Sequence, residues 1–391
     1  IRLIKFPMAT IEDANNEEMQ MFRDMVLRFL EQEVLPHYDT WEKNHKMPRE
    51  MWNIMGSAGM LLVDFPEKYG AAGASFDVCQ MIQEEMCRLG FHGLGTGYNI
   101  HANIVAPYVF NIGTEEQHDR WLPGMVTGEV VTALAMTEPG AGSDVAGMRT
   151  NAIKDGDEYV LNGSKTFITN GNDADMIIVC AKTDIHAGSK GISLFLVDTS
   201  LPGFSTGKPI EKMGQHCSDT AELFFENMRI PSNALLGEEG KGFVYLMQEL
   251  PRERLGCAVQ AIGHAQGALD ITCDYVKDRK AFGQSISQFQ NTRFKLAQCQ
   301  TELEMCRALL EKHMAKYKLD EMTVTDAAML KLAATEMQLT MVDECLQLFG
   351  GYGYTDEYPI SRFYRDARIQ TIYAGSSEIM KEVIARGILG R

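Results

Sequence analysis

Apolar residues in the first third of the chain recur every three or four positions. Phe22, Met25, Val26, Phe29, Leu30 and Val34 share one helical face, with Asn15 and Asn16 ahead of two glutamates as a start and Pro36 as a stop. The same period returns around 48–60, 75–90 and 99–112, so residues 1–130 read as a helical domain. Between 131 and 238 the pattern shortens to runs of β-branched and aromatic residues, punctuated by Asp155-Gly156, Asn162-Gly163 and Asn170-Gly171. These are hairpin-type turn signals, and the runs at 192–197 and 221–225 are strand candidates, so this stretch reads as an antiparallel β domain.

From 239 to 391 the helical period resumes, with long candidates over about 241–276, 289–316, 326–349 and 376–388. Gly283, a 318–325 turn with Thr325 as cap, and a 350–359 loop separate them. Helices of that length in series are the mark of an up-down bundle, which makes the fold class α+β with helical, β and helical parts.

Composition narrows the function. The 391 residues are 45% apolar and 23% charged, as in a folded globular protein, and carry 37 basic against 53 acidic residues for a net charge of −16. No Lys/Arg run tracks a phosphate backbone, so nucleic acid is not an expected partner, and any anion site must be local. The nine cysteines form no C-x-x-C pair and read as reduced thiols of an intracellular protein. No apolar run approaches the roughly 18 residues of a transmembrane helix. Ile1 in place of Met suggests trimming or processing, and nothing near it reads as a secretory signal. The histidines show no H-x-x-x-H pairing, so no metal is expected.

Three segments stand out, each weak alone. Ala135-Met136-Thr137-Glu138-Pro139-Gly140-Ala141-Gly142-Ser143-Asp144 is a loop of small and hydroxyl residues whose N–H groups could approach an anionic or flat ligand. Phe167-Ile168-Thr169-Asn170-Gly171 sets an aromatic beside a tight turn, where it could wall a planar ring or simply end a strand. Gln347-Leu348-Phe349-Gly350-Gly351-Tyr352-Gly353-Tyr354 closes a helix with more glycines than one cap needs.

Together, in this order, they resemble the acyl-CoA dehydrogenase flavoprotein family over essentially the whole chain. Both of its signatures are recognisable: Ala135-Met136-Thr137-Glu138 with Gly142-Ser143-Asp144-Val145-Ala146-Gly147, and Gln347, Gly350, Gly351, Gly353, Asp356, Arg362 and Asp366. The resemblance implies FAD held by Met136, Thr137, Gly142 and Ser143, with Phe167, Ile168 and Thr169 against the flavin ring and Ser376, Ser377 and Glu378 near it. A neighbouring subunit would add Arg279, Phe282, Gln290, Gln347, Gly350 and Gly351, which implies a homotetramer built as a dimer of dimers. It also implies fatty-acid β-oxidation, an electron-transferring flavoprotein as partner, and the mitochondrial matrix or bacterial cytoplasm as location.

Most members place the catalytic glutamate just after an Ile-Tyr pair near the C-terminus. Here Ile372-Tyr373 is followed by Ala374, which cannot take a proton. The long-chain and isovaleryl branches supply the base from a mid-chain helix, and the matching segment is Glu249-Leu250-Pro251-Arg252-Glu253-Arg254-Leu255. Glu253 is therefore the expected base, beside a helix that Pro251 should kink, and Glu378 is the rival. The Ala374 N–H would still donate to the thioester carbonyl. The resemblance assigns Ser143, Ser189, Lys190, Val244, Pro251, Arg252, Arg254, Ala374 and Gly375 to acyl-CoA, with the two arginines as candidates for its adenosine diphosphate part.

Small residues across Gly93-Leu94-Gly95-Thr96-Gly97-Tyr98 would deepen the acyl pocket, as would suit the long-chain-like Leu250-Pro251-Arg252-Glu253-Arg254 and Glu378-Ile379-Met380-Lys381-Glu382. Asp173-Ala174-Asp175 and Pro202-Gly203-Phe204-Ser205-Thr206 look more like the isovaleryl branch. Medium-to-long straight chains are the first expectation and short branched ones the second. A member that binds acyl-CoA without dehydrogenating it, and an oxygen-using oxidase, are the other readings.

Overall fold

The computed structural model describes residues 17–390, so the start read at Asn15 and Asn16 lies outside the described residues. The first part holds α1 (Glu17–Phe29), α2 (Leu35–Asn44), α3 (Glu50–Ser57), α4 (Phe76–Arg88), α5 (His92–Tyr98), α6 (Ala106–Ile112) and α7 (Glu115–Thr127). Pro36 does not stop the first helix. A π turn over Leu30–Val34 carries it on, with the Leu35 N–H reaching back to Leu30 O, and the helix ends only at Asn44, where His45 turns left-handed at φ 53. The wider turn accommodates a ring that lacks an N–H and crowds the preceding carbonyls. A second π turn, Asn99–Val105, precedes Pro107 in the same way and joins α5 to α6. Helix α7 falls outside the stretches read as helical, although Thr114 and Gln117 form a capping box at its start.

The sheet contains β1 (Thr132–Ala135), β2 (Asn151–Asp155), β3 (Glu158–Thr169), β4 (Met176–Lys182), β5 (Ile192–Asp198), β6 (Phe204–Thr206), β7 (Thr220–Pro231) and β8 (Leu235–Leu236). Its order is β6-β7-β3-β2-β4-β5-β8, with β1 also on β4. The expectation of a wholly antiparallel sheet is corrected: β1 runs parallel to β4, and Asn151 of β2 pairs with Lys182 of β4 in parallel. The β2–β3 hairpin is the crossover that returns the chain in the β1 direction. Asn162-Gly163 is not a turn but lies within β3, at a register shift against β7 where Gly163 sits over Thr150. Alternation along β4 and β5 divides the interior. Ile178, Cys180, Leu194 and Leu196 face the helical core, while Ile177, Val179, Phe195 and Val197 face the opposite core.

The last part comprises α8 (Gly242–Asp278), the short pair β9 (Lys280–Ala281) and β10 (Gln284–Ser285), α9 (Gln290–Lys318), α10 (Val324–Phe349), α11 (Pro359–Ala367) and α12 (Ser377–Leu389). The cap of α10 is Thr323 rather than Thr325, because Asp326 at its third position completes a capping box. Part of the stretch after the 350–359 loop forms α11, with Pro359 in its first turn. All nine cysteines are free, eight of them buried. Among the described residues no helix is long and apolar enough to cross a membrane.

Helix α8 touches both helical parts, and its fit against α4 depends on the absence of side chains. A Cβ on Gly263 would come 2.5 Å from Glu84 O, and one on Gly267 would come 1.9 Å from Arg88 O. Four residues apart, these glycines share a face and let the backbones meet. Because the obstructing atoms are backbone, Gly267→Ala should destabilise the protein by about 1–3 kcal/mol, measured by thermal or denaturant unfolding.

Candidate active site

Glu253 lies on α8, 5% exposed, and one of its carboxylate oxygens, Oε1, accepts a hydrogen bond from the Tyr108 hydroxyl of α6 at 2.8 Å. No hydrogen bond engages Oε2 among the described residues. Burial pushes its pKa up to about 7, with Tyr108 and Arg254 opposing the rise and Glu249 adding to it. A carboxylate poised there can exchange a proton near neutrality. Helix α8 runs unbroken through Pro251, two residues earlier.

One residue further along α8, Arg254 reaches the segment after Tyr373. Ala374 takes a left-handed φ of 53 and Gly375 one of 94. The Ala374 N–H meets no acceptor among the described residues. From α10, the fully buried Lys331 donates from Nζ to Gly375 O at 2.8 Å. Arg254 is 4% exposed, its Nε and Nη1 have no partner among the described residues, and its Nη2 lies 3.7 Å from where a Gly375 Cβ would be.

The small-residue loop is set from below by a buried ion pair. Glu138 accepts from the N–H groups of Arg149 and Thr150 and from Lys165 Nζ at 2.9 Å, while Lys165 also donates to Met136 O. Burial alone would raise the Glu138 pKa, but Lys165 and the two N–H groups hold it below the usual carboxylate value. Above this pair, Gly140, Gly142 and Ser143 are exposed. Phe167, on β3, is 66% exposed at a left-handed φ of 59, whereas Ile168 points into the sheet core and Thr169 is half-buried.

Models of three domains match successive parts of the chain: "Acyl-CoA dehydrogenase, N-terminal domain" over residues 16–129, the middle domain over 133–228 and the C-terminal domain over 240–389. The mitochondrial long-chain specific acyl-CoA dehydrogenase of Mus musculus is 45% identical over 376 residues, 96% of this chain and 87% of that protein. The mitochondrial isovaleryl-CoA dehydrogenase of Pongo abelii is 38% identical over 383 residues, covering 96% and 90%. The crystal structure of an acyl-CoA dehydrogenase from Geobacillus kaustophilus superposes with a TM-score of 0.93 at 47% identity, over 95% of this chain and 98% of that one. The chain belongs to the acyl-CoA dehydrogenase family.

An acyl-CoA dehydrogenase carries a flavin, and the surfaces here fit one. At Gly140, Gly142, Gly350 and Gly351 an added Cβ would find no atom of the chain within 4 Å, so a ligand can lie on the backbone. Phe167 offers an uncovered aromatic face. Ser376 caps α12, its hydroxyl accepting from the Ile379 N–H, whereas the Ser377 hydroxyl donates to Glu336. A second group of expected residues gathers elsewhere: Arg279 lies over the Tyr352 ring at 5.3 Å, Phe282 is 95% exposed, and Gln290, Gln347, Gly350 and Gly351 are exposed.

The residues expected along acyl-CoA fall partly in line. The turn Val145–Gly147, just after Ser143, lies against the turn Gly188–Gly191 that holds Ser189 and Lys190, and the latter meets the start of α8, where Val244 is exposed. From Val244 to Glu253 the helix rises about 14 Å. Two expectations are corrected. Arg252 is engaged with Asp64 at 2.8 Å, both side chains nearly buried, and lies over Phe76, so it braces the N-terminal helices. Arg254 is buried at the Glu253 end, which suits the reacting group and not a solvated diphosphate. Gly93 and Gly97 line a cavity of about 280 Å³ together with Trp52, Asn170 and Cys217, whereas Gly95 is packed against Cys87 and Gln260.

Sequence reasoning missed Tyr108, Lys165 and Lys331, whose roles arise from contacts between distant segments. Glu138 stood in the signature, but only its ion pair explains it. Lys165→Met strands the Glu138 carboxylate, so unfolding measurements should show a loss of about 3–5 kcal/mol, partly restored in Lys165→Met/Glu138→Gln.

Proposed function

We propose that this acyl-CoA dehydrogenase converts medium-to-long straight-chain acyl-CoA thioesters to trans-2-enoyl-CoA, with Glu253 removing the α-proton. The observation that carries this reading is a buried carboxylate, its pKa pushed up to about 7, on the turn of α8 whose next residue, Arg254, meets the loop in which position 374 is alanine. Glu378, the rival, is exposed, and its own N–H and the Ser376 hydroxyl hold its pKa low, so it lacks the desolvation that makes a strong base.

The Ala374 N–H donates to the thioester oxygen as negative charge gathers there, and the buried Arg254 adds positive potential at the same end. Met136, Thr137, Gly142, Ser143, Phe167, Ile168, Thr169, Ser376, Ser377 and Glu378 of one subunit, with Arg279, Phe282, Gln290, Gln347, Gly350 and Gly351 of a neighbour in a homotetramer, would hold the FAD. When bound, FAD supplies the acceptor for the β-hydride. An electron-transferring flavoprotein is the acceptor that the family resemblance suggests, in the mitochondrial matrix or the bacterial cytoplasm. The protrusion of Phe282 from its own chain supports service to a second copy. The 45% identity to the mouse long-chain protein, against 38% to the isovaleryl protein, supports the order of substrates.

Anaerobic mixing with a series of straight and branched acyl-CoAs tests the reading. Flavin bleaching should peak with straight chains, and Glu253→Gln should retain FAD and abolish bleaching; full-rate reduction in that variant overturns the base. The rate should rise with pH through about 7 as Glu253 loses its proton. Because the Tyr108 hydroxyl stabilises the carboxylate, Tyr108→Phe should move that limb upward by roughly one pH unit, equivalent to about 1.4 kcal/mol.

A further inference from the structure

Helix α10 runs beneath the 374–377 segment and grips it twice. Lys331 donates to Gly375 O, and five residues on, Glu336 accepts from the Ser377 hydroxyl. At the first of these anchors Ala374 and Gly375 are both left-handed, a pair that persists only where its surroundings over-determine it. At φ 94 Gly375 holds a backbone that side-chain-bearing residues rarely adopt, and a Cβ there would also push on the end of the Met380 side chain. Lys331 makes no ion pair among the described residues, and burial lowers its pKa, with the nearby Cys257 opposing that and Arg254 reinforcing it. A buried ammonium held for one carbonyl is an expensive way to fill space that Met or Leu could occupy.

We propose that Lys331 is a positioning residue for dehydrogenation: it holds residues 374 and 375 so that the Ala374 N–H points at the thioester oxygen, while Glu336 fixes the far end through Ser377. This rests on the reading of Ala374 given above. The geometry of the donor, more than substrate affinity, depends on the clamp, because the N–H matters most when the oxygen becomes negative.

The test uses the full-length FAD-loaded protein and a 3-thiaacyl-CoA, which can lose its α-proton but has sulfur where the hydride would leave. Lys331→Met should keep FAD, lower kcat by about 10–100-fold with KM changed less than about threefold, and raise by about one unit the pH at which half the bound analogue ionises. Lys331→Arg should recover part of kcat. A kcat per bound FAD within about twofold of wild type, or a loss with no change in the ionisation pH, overturns the proposal. Should Lys331→Met not fold, Glu336→Ala, at an exposed position, carries the same test: a kcat-selective loss supports the clamp and an unchanged kcat overturns it. If the wild type bleaches and the variants match it, this inference alone falls; if no acyl-CoA bleaches the wild type, the functional reading falls and takes this one with it.

Discussion

The carboxylate of Glu253 can act near neutrality only while water is kept from it, and much of the surrounding architecture serves that exclusion. Helix α8 carries it between the N-terminal helices and the bundle, close enough to α4 that Gly263 and Gly267 meet carbonyl oxygens directly. Tyr108, from a helix made continuous by a π turn ahead of Pro107, covers one oxygen. The ion pair of Arg252 with Asp64 ties the same turn of α8 to the N-terminal part. Loosening any of these contacts lets solvent in, and a solvated glutamate returns to being a weak base.

Around this centre the small-residue loop and the segment after Tyr373 are irregular, and buried cations hold them. Lys165 reaches Glu138 and Met136 beneath the small-residue loop, and Lys331 reaches Gly375 beneath the Ala374 turn. Arg254, next to Gly375, leaves two nitrogens without a partner among the described residues. Each lysine is desolvated, which weakens it as a stabiliser but strengthens its hold on the few oxygens it does reach. The chain thus places positive charge at the site while its overall charge is −16, which suits an anionic thioester better than a polyanion surface.

Periodicity exposed the three parts of the fold because helix and strand periods differ along one chain. It failed where a non-local or unusual feature decided the outcome. Pro36 looks like a stop because a π turn has no sequence signature of comparable strength. Asn162-Gly163 looks like a turn, yet its neighbours β2 and β7 absorb it as an irregularity within β3. The parallel pairing of β1 with β4 follows from which edge the chain returns to, and no local pattern encodes that. The glycines at 93, 95 and 97 suggested space, and 93 and 97 do line a cavity, but Cys87 and Gln260 close in on Gly95.

By itself the sequence determined the family, the α+β order of the parts, and the pairing of Ala374 with a displaced candidate at Glu253, because these are statements about residue identity at set spacings. The tertiary structure decided what those residues experience. Whether Glu253 is dry, which arginine faces it, and what fixes the left-handed turn at 374 and 375 all depend on groups distant in the chain: Tyr108, Asp64 and Lys331. Desolvation and charge act through space, so their effects became legible only once the helices were packed.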